Sequence, residues 1–213
     1  MTRTSNIYII LISAILALSS SCTENSGRSE QSGEKTVTKS VPATSSSYPE
    51  INTWADDLRN FRTAVLKNDV EKLSTYFDFP LINDTTQIWS AVYENVEEDK
   101  RPKEFKATFE VSDFKEHYKS LFNEPFSKSL KAVKLQDLYK TNQFTTPEIK
   151  GEPSSYHMLA SFNQSTSIVE LSVIFSGEMD ENGAEISETE HAIIYFFSVE
   201  GNRLKFDKIL FAG

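Results

Sequence analysis

The chain has 213 residues, a net charge of −9, 12 % aromatic residues and a single cysteine. With 15 phenylalanines it is not a chain disordered throughout. An acidic balance, unrelieved by any Lys/Arg stripe interleaved with aromatics, excludes nucleic acid as the expected partner, and one cysteine excludes an internal disulfide.

Residues 1–6 are mostly polar and include Arg3, and Ile7 to Leu18 is an apolar run of 12 in which Ser13 is the one aliphatic hydroxyl. Ser19, Ser20 and Ser21 follow, then Cys22. A basic start, a short apolar centre and small residues are the layout of a signal peptide, here residues 1–21. The run falls short of the roughly 20 apolar residues that a spanning helix requires. Losing residues 1–21 removes Arg3 and no acid, which leaves a charge of −10. The segment Leu18-Ser19-Ser20-Ser21-Cys22 resembles a bacterial lipobox, whose cysteine is acylated and becomes the mature N-terminus. That pattern prefers Leu three residues before the cysteine; here Ser19 occupies the position and Leu18 lies one residue further out. The resemblance implies a lipid-modified (palmitoylated) Cys22, anchorage to a membrane through the lipid, and residence in the bacterial cell envelope. Thr23, where another class carries Asp, resembles the outer-membrane-sorted lipoproteins.

From Thr23 to about Tyr48 the chain is dominated by Ser, Thr, Glu, Lys and Gly, with Val37 and Val41 the only aliphatics larger than alanine. Such a stretch cannot bury enough apolar surface to offset its chain entropy, so residues 22–50 are expected to be a lipidated cysteine and flexible linker. Residues 51–213 then form a single α+β domain, long enough to bury one core.

Trp54, Leu58, Phe61 and Val65 recur at helical spacing, with Asn52 or Thr53 as the cap and an end near Lys67-Asn68. Asp69 caps a short second helix carrying Val70, Leu73 and Phe77, and Pro80 closes that unit. Ile88 to Val96 fits strand and helix equally, whereas Phe105, Ala107 and Phe109 alternate as a short strand. Ser112 is the expected cap of a third helix through Phe114, Tyr118, Leu121 and Phe122, restarted at Asn123-Glu124-Pro125 and carried on through Phe126, Leu130 and Val133. Beyond about residue 135 the chain reads as sheet, in runs at 135–144, 156–162, 167–178, 188–199 and 203–212. Asn182-Gly183 and Gly201-Asn202 are hairpin turns that make these runs an antiparallel meander. In the run at 188–199 both faces are apolar: His191, Ile193, Tyr195, Phe197 and Val199 on one side, Ala192, Ile194, Phe196 and Ser198 on the other. Helices are expected to cover one face, and a partner or a curled sheet the other.

Two helices, a short strand region, a third helix and a run of antiparallel strands resemble the cone-shaped fold of ketosteroid isomerase and nuclear transport factor 2. The segment Phe61-Arg62-Thr63-Ala64-Val65-Leu66-Lys67-Asn68-Asp69 with Leu73 is similar to that superfamily's opening helix pair. Phe77-Asp78-Phe79-Pro80-Leu81 resembles the segment that follows it in many small lipoproteins. The resemblance implies N-terminal helices packed on a curved antiparallel sheet around a cavity, whose wall would draw on Trp54, Phe61 and the sheet's concave residues, Tyr195 among them. Isomerases of this fold need a carboxylate and a tyrosine or second acid in the cavity, for which Asp57, Asp137 with Tyr139, and His191 are the candidates.

His117, His157 and His191 stand far apart, with no pair at metal-ligand spacing, and no metal or cofactor is expected. The acidic stretch from Glu178 to Glu190 lacks calcium-loop spacing and reads as a solvated turn. No phosphate loop, serine elbow or paired-cysteine motif is present. Three roles stay open for the domain: binding a small apolar ligand or a protein partner, a second copy of the chain included; an isomerase, dehydratase or hydrolase; and a structural accessory of an envelope complex.

Overall fold

The computed structural model describes residues 48–152, 154–177 and 190–213. The expected signal peptide, Cys22, the expected linker up to residue 47, the expected Asn182-Gly183 hairpin and the acidic stretch before Glu190 lie outside them. The described residues form an α+β fold of helices and a five-stranded antiparallel sheet.

Helix α1, Trp54–Lys67, begins at Thr53, whose side chain accepts from the Asp56 N–H while the Asp56 carboxylate accepts from the Thr53 N–H at 2.9 Å, a reciprocal cap. It ends at Asn68, which takes the left-handed conformation at φ 54° that asparagine tolerates. Asp69 caps α2, Val70–Ser74, accepting from the Lys72 N–H at 3.0 Å. The chain passes through a cis Phe79–Pro80 bond into β1, Leu81–Ile82, which pairs with β2, Thr108–Phe109. Between them lies α3, Ile88–Val92, so the ambiguous stretch resolves as helix. Helices α4, Val111–Leu121, α5, Glu124–Ala132, and α6, Leu135–Thr141, follow.

Three expectations are corrected. The run at 135–144 is mostly α6, with only Gln143–Thr145 extended as β3. Leu135 and Leu138 are buried at a spacing of three, and no β-branched residue precedes Thr141, so local preference and burial agree on helix. The strand through Phe105 shrinks to Thr108–Phe109, with Phe105 exposed. The cap of α4 is Glu110 and not Ser112: Glu110 donates its N–H to the Asp113 carboxylate at 2.9 Å.

Strands β4, Tyr156–Asn163, β5, Ile168–Phe175, β6, His191–Glu200, and β7, Arg203–Ala212, complete a meander in the order β3-β4-β5-β6-β7. Gly201, at φ 63°, makes the β6–β7 turn that a Cβ would strain. One sheet face holds Met158, Ala160, Val169, Leu171, Ile193, Tyr195, Phe197, Leu204 and Ile209, each at most 1 % exposed, and the helices pack on it. On the other face Leu159, Ile168, Ile174, Ile194, Phe196 and Leu210 are half-buried. A bulge between Phe196 and Phe197 leaves Asp207 unpaired and exposed.

Candidate functional site

The seven residues expected at the cavity are dispersed. Phe61 is fully buried between the helices and the sheet, its ring 5.0 Å from Phe197 and 5.1 Å from Tyr76. Trp54 packs on Phe162 at 4.5 Å and Tyr139 at 5.7 Å, and Tyr139 itself is exposed. Asp57 is 1 % exposed and ties α1 to β7: its Oδ2 accepts from the Leu204 N–H at 2.8 Å and its Oδ1 from the Tyr76 hydroxyl at 3.2 Å. Asp57 is therefore a buried fastening of the fold. Tyr195 lies in the core with its ring 4.4 Å from Phe126 and its hydroxyl donating to the Leu121 carbonyl at 2.7 Å. Asp137 is exposed in the first turn of α6. Asp137 borders a separate hollow with Arg59 and Arg62, and His191 lines a pocket of its own.

That pocket opens at the sheet end where Tyr156, Phe175 and His191 stand side by side in register on β4, β5 and β6. It has a volume of about 190 Å³, and Glu94, Asn95, Asn123, Pro125, Glu152 and Ser154 complete its wall. A second hollow of about 360 Å³ shares Asn95, Asn123, Pro125, Glu152 and Tyr156 with it and adds Lys128 and Lys150, so the two form one cleft. Three local devices build it. Arg101 donates to the carbonyls of Val96 at 2.7 Å and Glu94 at 3.0 Å, bracing the loop after α3. Asn123, cap of α5, accepts from the Phe126 N–H at 3.1 Å, and the Tyr195–Leu121 bond holds the preceding turn in place. Gly151 lets the loop before β4 close on Tyr156, because a Cβ there would come within 2.8 Å of that ring.

The chemistry concentrates on Glu94 and His191. The His191 ring stacks on Phe175 at 4.6 Å with an interplanar angle of 4°, and its Nε2 lies 3.9 Å from the Glu94 carboxylate. The Glu94 side chain is 18 % exposed, and its carboxylate has no hydrogen-bond donor among the described residues. Burial raises its pKa to about 7, against the opposing charge of Arg101. Tyr195 is held well above the usual phenol range by burial first and then by the charge of Glu94. A carboxyl group that titrates near neutrality beside an imidazole is able to accept a ligand's N–H or O–H, or to exchange a proton with it.

Among the other histidines, His117 packs against Trp89 at 5.9 Å and His157 sits on the sheet's helix-free face. No group of three or more His, Cys, Asp or Glu residues among the described residues has the arrangement to hold a metal ion. Glu94 escaped sequence reasoning because nothing local marks it. The one signal was a lone acid directly behind the apolar run Ile88–Tyr93, a stretch that fitted strand and helix equally.

The fold and the cleft define a class: helices on one face of an antiparallel meander, with a polar cleft at the sheet's end. Comparison with protein-family models, with curated proteins and with solved structures gave no match.

Proposed function

We propose that this chain is a lipid-anchored protein of the bacterial envelope, held at the membrane by Cys22, whose domain binds a small polar ligand in the Glu94–His191 cleft. The single observation that carries the binding site is the half-buried Glu94 carboxylate, left without a donor among the described residues at the wall of a cleft. Burying a carboxylate without a hydrogen bond costs free energy, and a ligand N–H or O–H restores it. The lining of three carboxylates, two amides, two ammonium groups, an imidazole and a phenol favours a polar ligand over the apolar one expected from the sequence, with Phe175 and Tyr156 as its flat apolar floor. The reading of the anchor rests on the apolar run ending at Ser21-Cys22 and on the linker composition that follows it.

Native mass spectrometry of the full chain, extracted from membranes in mild detergent, tests the site. A co-purified small molecule of defined mass is expected on the wild type, with at least tenfold lower occupancy on the Glu94→Ala variant. Equal occupancy on both, or a wild type carrying no adduct, would sink the proposal. A second reading, an enzyme of the isomerase or hydrolase kind, is favoured by the proximity of Glu94 to His191, the arrangement of a general acid–base pair.

A further inference from the structure

The charges of the Glu94 cleft are unevenly placed. Its first hollow, at the end of the sheet, is lined by Glu94 and Glu152 and, among the described residues, by no lysine or arginine. Of the two lysines in the second hollow, Lys128 is paired with Glu124 at 2.5 Å and Lys150 stands exposed on the loop before β4. Arg101 brings a positive charge near Glu94 but spends its Nε–H and Nη2–H on the backbone carbonyls of Val96 and Glu94. Among the described residues the carboxylate thus has a cation in its neighbourhood and accepts a hydrogen bond from none. The floor of the same hollow is aromatic. Tyr156 and Phe175 stand in register on β4 and β5, their ring centroids 6.0 Å apart at an interplanar angle of 50°. Aromatic faces carry the negative end of the ring quadrupole and attract cations.

We infer, building on the binding site proposed above, that its ligand is a small amine bound as the ammonium ion, with an N–H donated to the Glu94 carboxylate and the carbon skeleton against Tyr156 and Phe175. A hydroxyl or an amide would meet the hydrogen-bonding need of the carboxylate and leave its charge unopposed. An ammonium ion meets both, and a charge-assisted hydrogen bond is roughly twice as strong as a neutral one. An anionic ligand would share the hollow with Glu94 and Glu152 and be repelled by both. A quaternary ammonium ion would bring charge without an N–H and leave the carboxylate oxygens unbonded. The volume of about 190 Å³ sets the scale, room for a small molecule and not for a folded partner. A primary or secondary amine with an apolar skeleton satisfies the acid, the rings and the space together.

Glu94→Gln separates charge from shape, because the glutamine carbonyl keeps an acceptor in place and lacks the negative charge. Full-length wild type, Glu94→Gln and Glu94→Ala are extracted from membranes in mild detergent. The small molecule that each releases on denaturation is weighed before and after reductive methylation, which adds methyl groups to primary and secondary amines. The expected result is a molecule that gains mass on methylation, its occupancy about tenfold lower on both variants than on the wild type. Phe175→Leu is expected to lower occupancy several-fold and Phe175→Tyr to keep it, as contact between a cation and a ring requires. A released molecule that takes no methyl groups overturns the amine and leaves the binding site standing. So does one whose occupancy falls on Glu94→Ala and stays at the wild-type level on Glu94→Gln. Occupancy unchanged on Phe175→Leu overturns the placement against the rings. Equal occupancy on wild type and Glu94→Ala, or no molecule on the wild type, sinks the site and the amine with it. Circular dichroism of each variant matching the wild type keeps a folding defect from passing for a lost ligand.

Discussion

At the scale of single residues, Glu94 is where burial and chemistry pull against each other. Its folded pKa of about 7 lies above the ordinary glutamate value of 4.5, so the folded state binds its proton more tightly than the unfolded chain does. The stabilisation that follows is fully present below the unfolded pKa and is lost as pH rises through about 7. Above that pH the fold carries a half-buried charge whose carboxylate no donor among the described residues meets. The side chain reaches the cleft and is partly solvated, so the unscreened cost is discounted to about 1–2 kcal/mol. Urea unfolding of the wild type is therefore expected to give a stability that falls by that amount between pH 5 and pH 8. Glu94→Gln, which keeps the shape and removes the titration, should flatten this slope and leave a variant more stable than the wild type at pH 8. A wild-type slope unchanged in Glu94→Gln would show that the pH dependence arises elsewhere. A residue that lowers stability at neutral pH and lines a cleft fits retention for binding more than for folding.

At the scale of elements, a buried polar tie joins helix and sheet. Asp57 projects from the buried face of α1 and receives the Leu204 N–H and the Tyr76 hydroxyl, with the exposed Arg203 guanidinium 3.8 Å away. Asp57→Ala would leave the Leu204 N–H and the Tyr76 hydroxyl buried without an acceptor, at an expected cost of about 2–4 kcal/mol. Chemical denaturation measures it. The Glu94 cleft lies at the other end of β6 from the β6–β7 turn where Leu204 sits, so ligand occupancy there should be unchanged; loss of the bound ligand with stability intact would instead make Asp57 part of the site.

Much of this architecture was readable from spacing, because Trp54, Leu58, Phe61 and Val65 have only one way to reach a core together. Strands β4 to β7 were equally plain, since their β-branched and aromatic runs fill a sheet face on every second residue. The stretch at 135–144 was not, because in a short segment the apolar residues at 135 and 138 fit either period until the neighbours decide which is buried. Asp57 was legible as a notable carboxylate on α1 but not as a fastening, because Leu204 lies 147 residues away. The cleft was the least legible, since its walls come from α3's exit loop, the α4–α5 turn, the loop before β4 and the end of the sheet. Only His191 of that set stood out in the sequence.

At the scale of the whole molecule, the domain is one part of a longer layout. An apolar run of 12 residues, a cysteine and a polar stretch precede it, and their order carries the proposal of a lipid anchor. Anchoring on acyl chains scales with the number of methylenes buried, about 0.8 kcal/mol each, so two or three chains on Cys22 would hold the protein stably where one chain would not. None of the described helices is long and apolar enough to cross a membrane. Removing the thiol removes the attachment point and leaves the domain as it was. Cys22→Ala is therefore expected to move the chain from the membrane pellet to the soluble fraction, or to hold it as the unprocessed form with its apolar run intact. Fractionation read together with the mass of the N-terminus separates these outcomes. Wild-type protein should carry a mass increment of acyl chains on residue 22 and lack residues 1–21. A Cys22→Ala chain that has lost residues 1–21 yet still sediments with membranes would refute lipid anchoring and place the attachment in the domain itself.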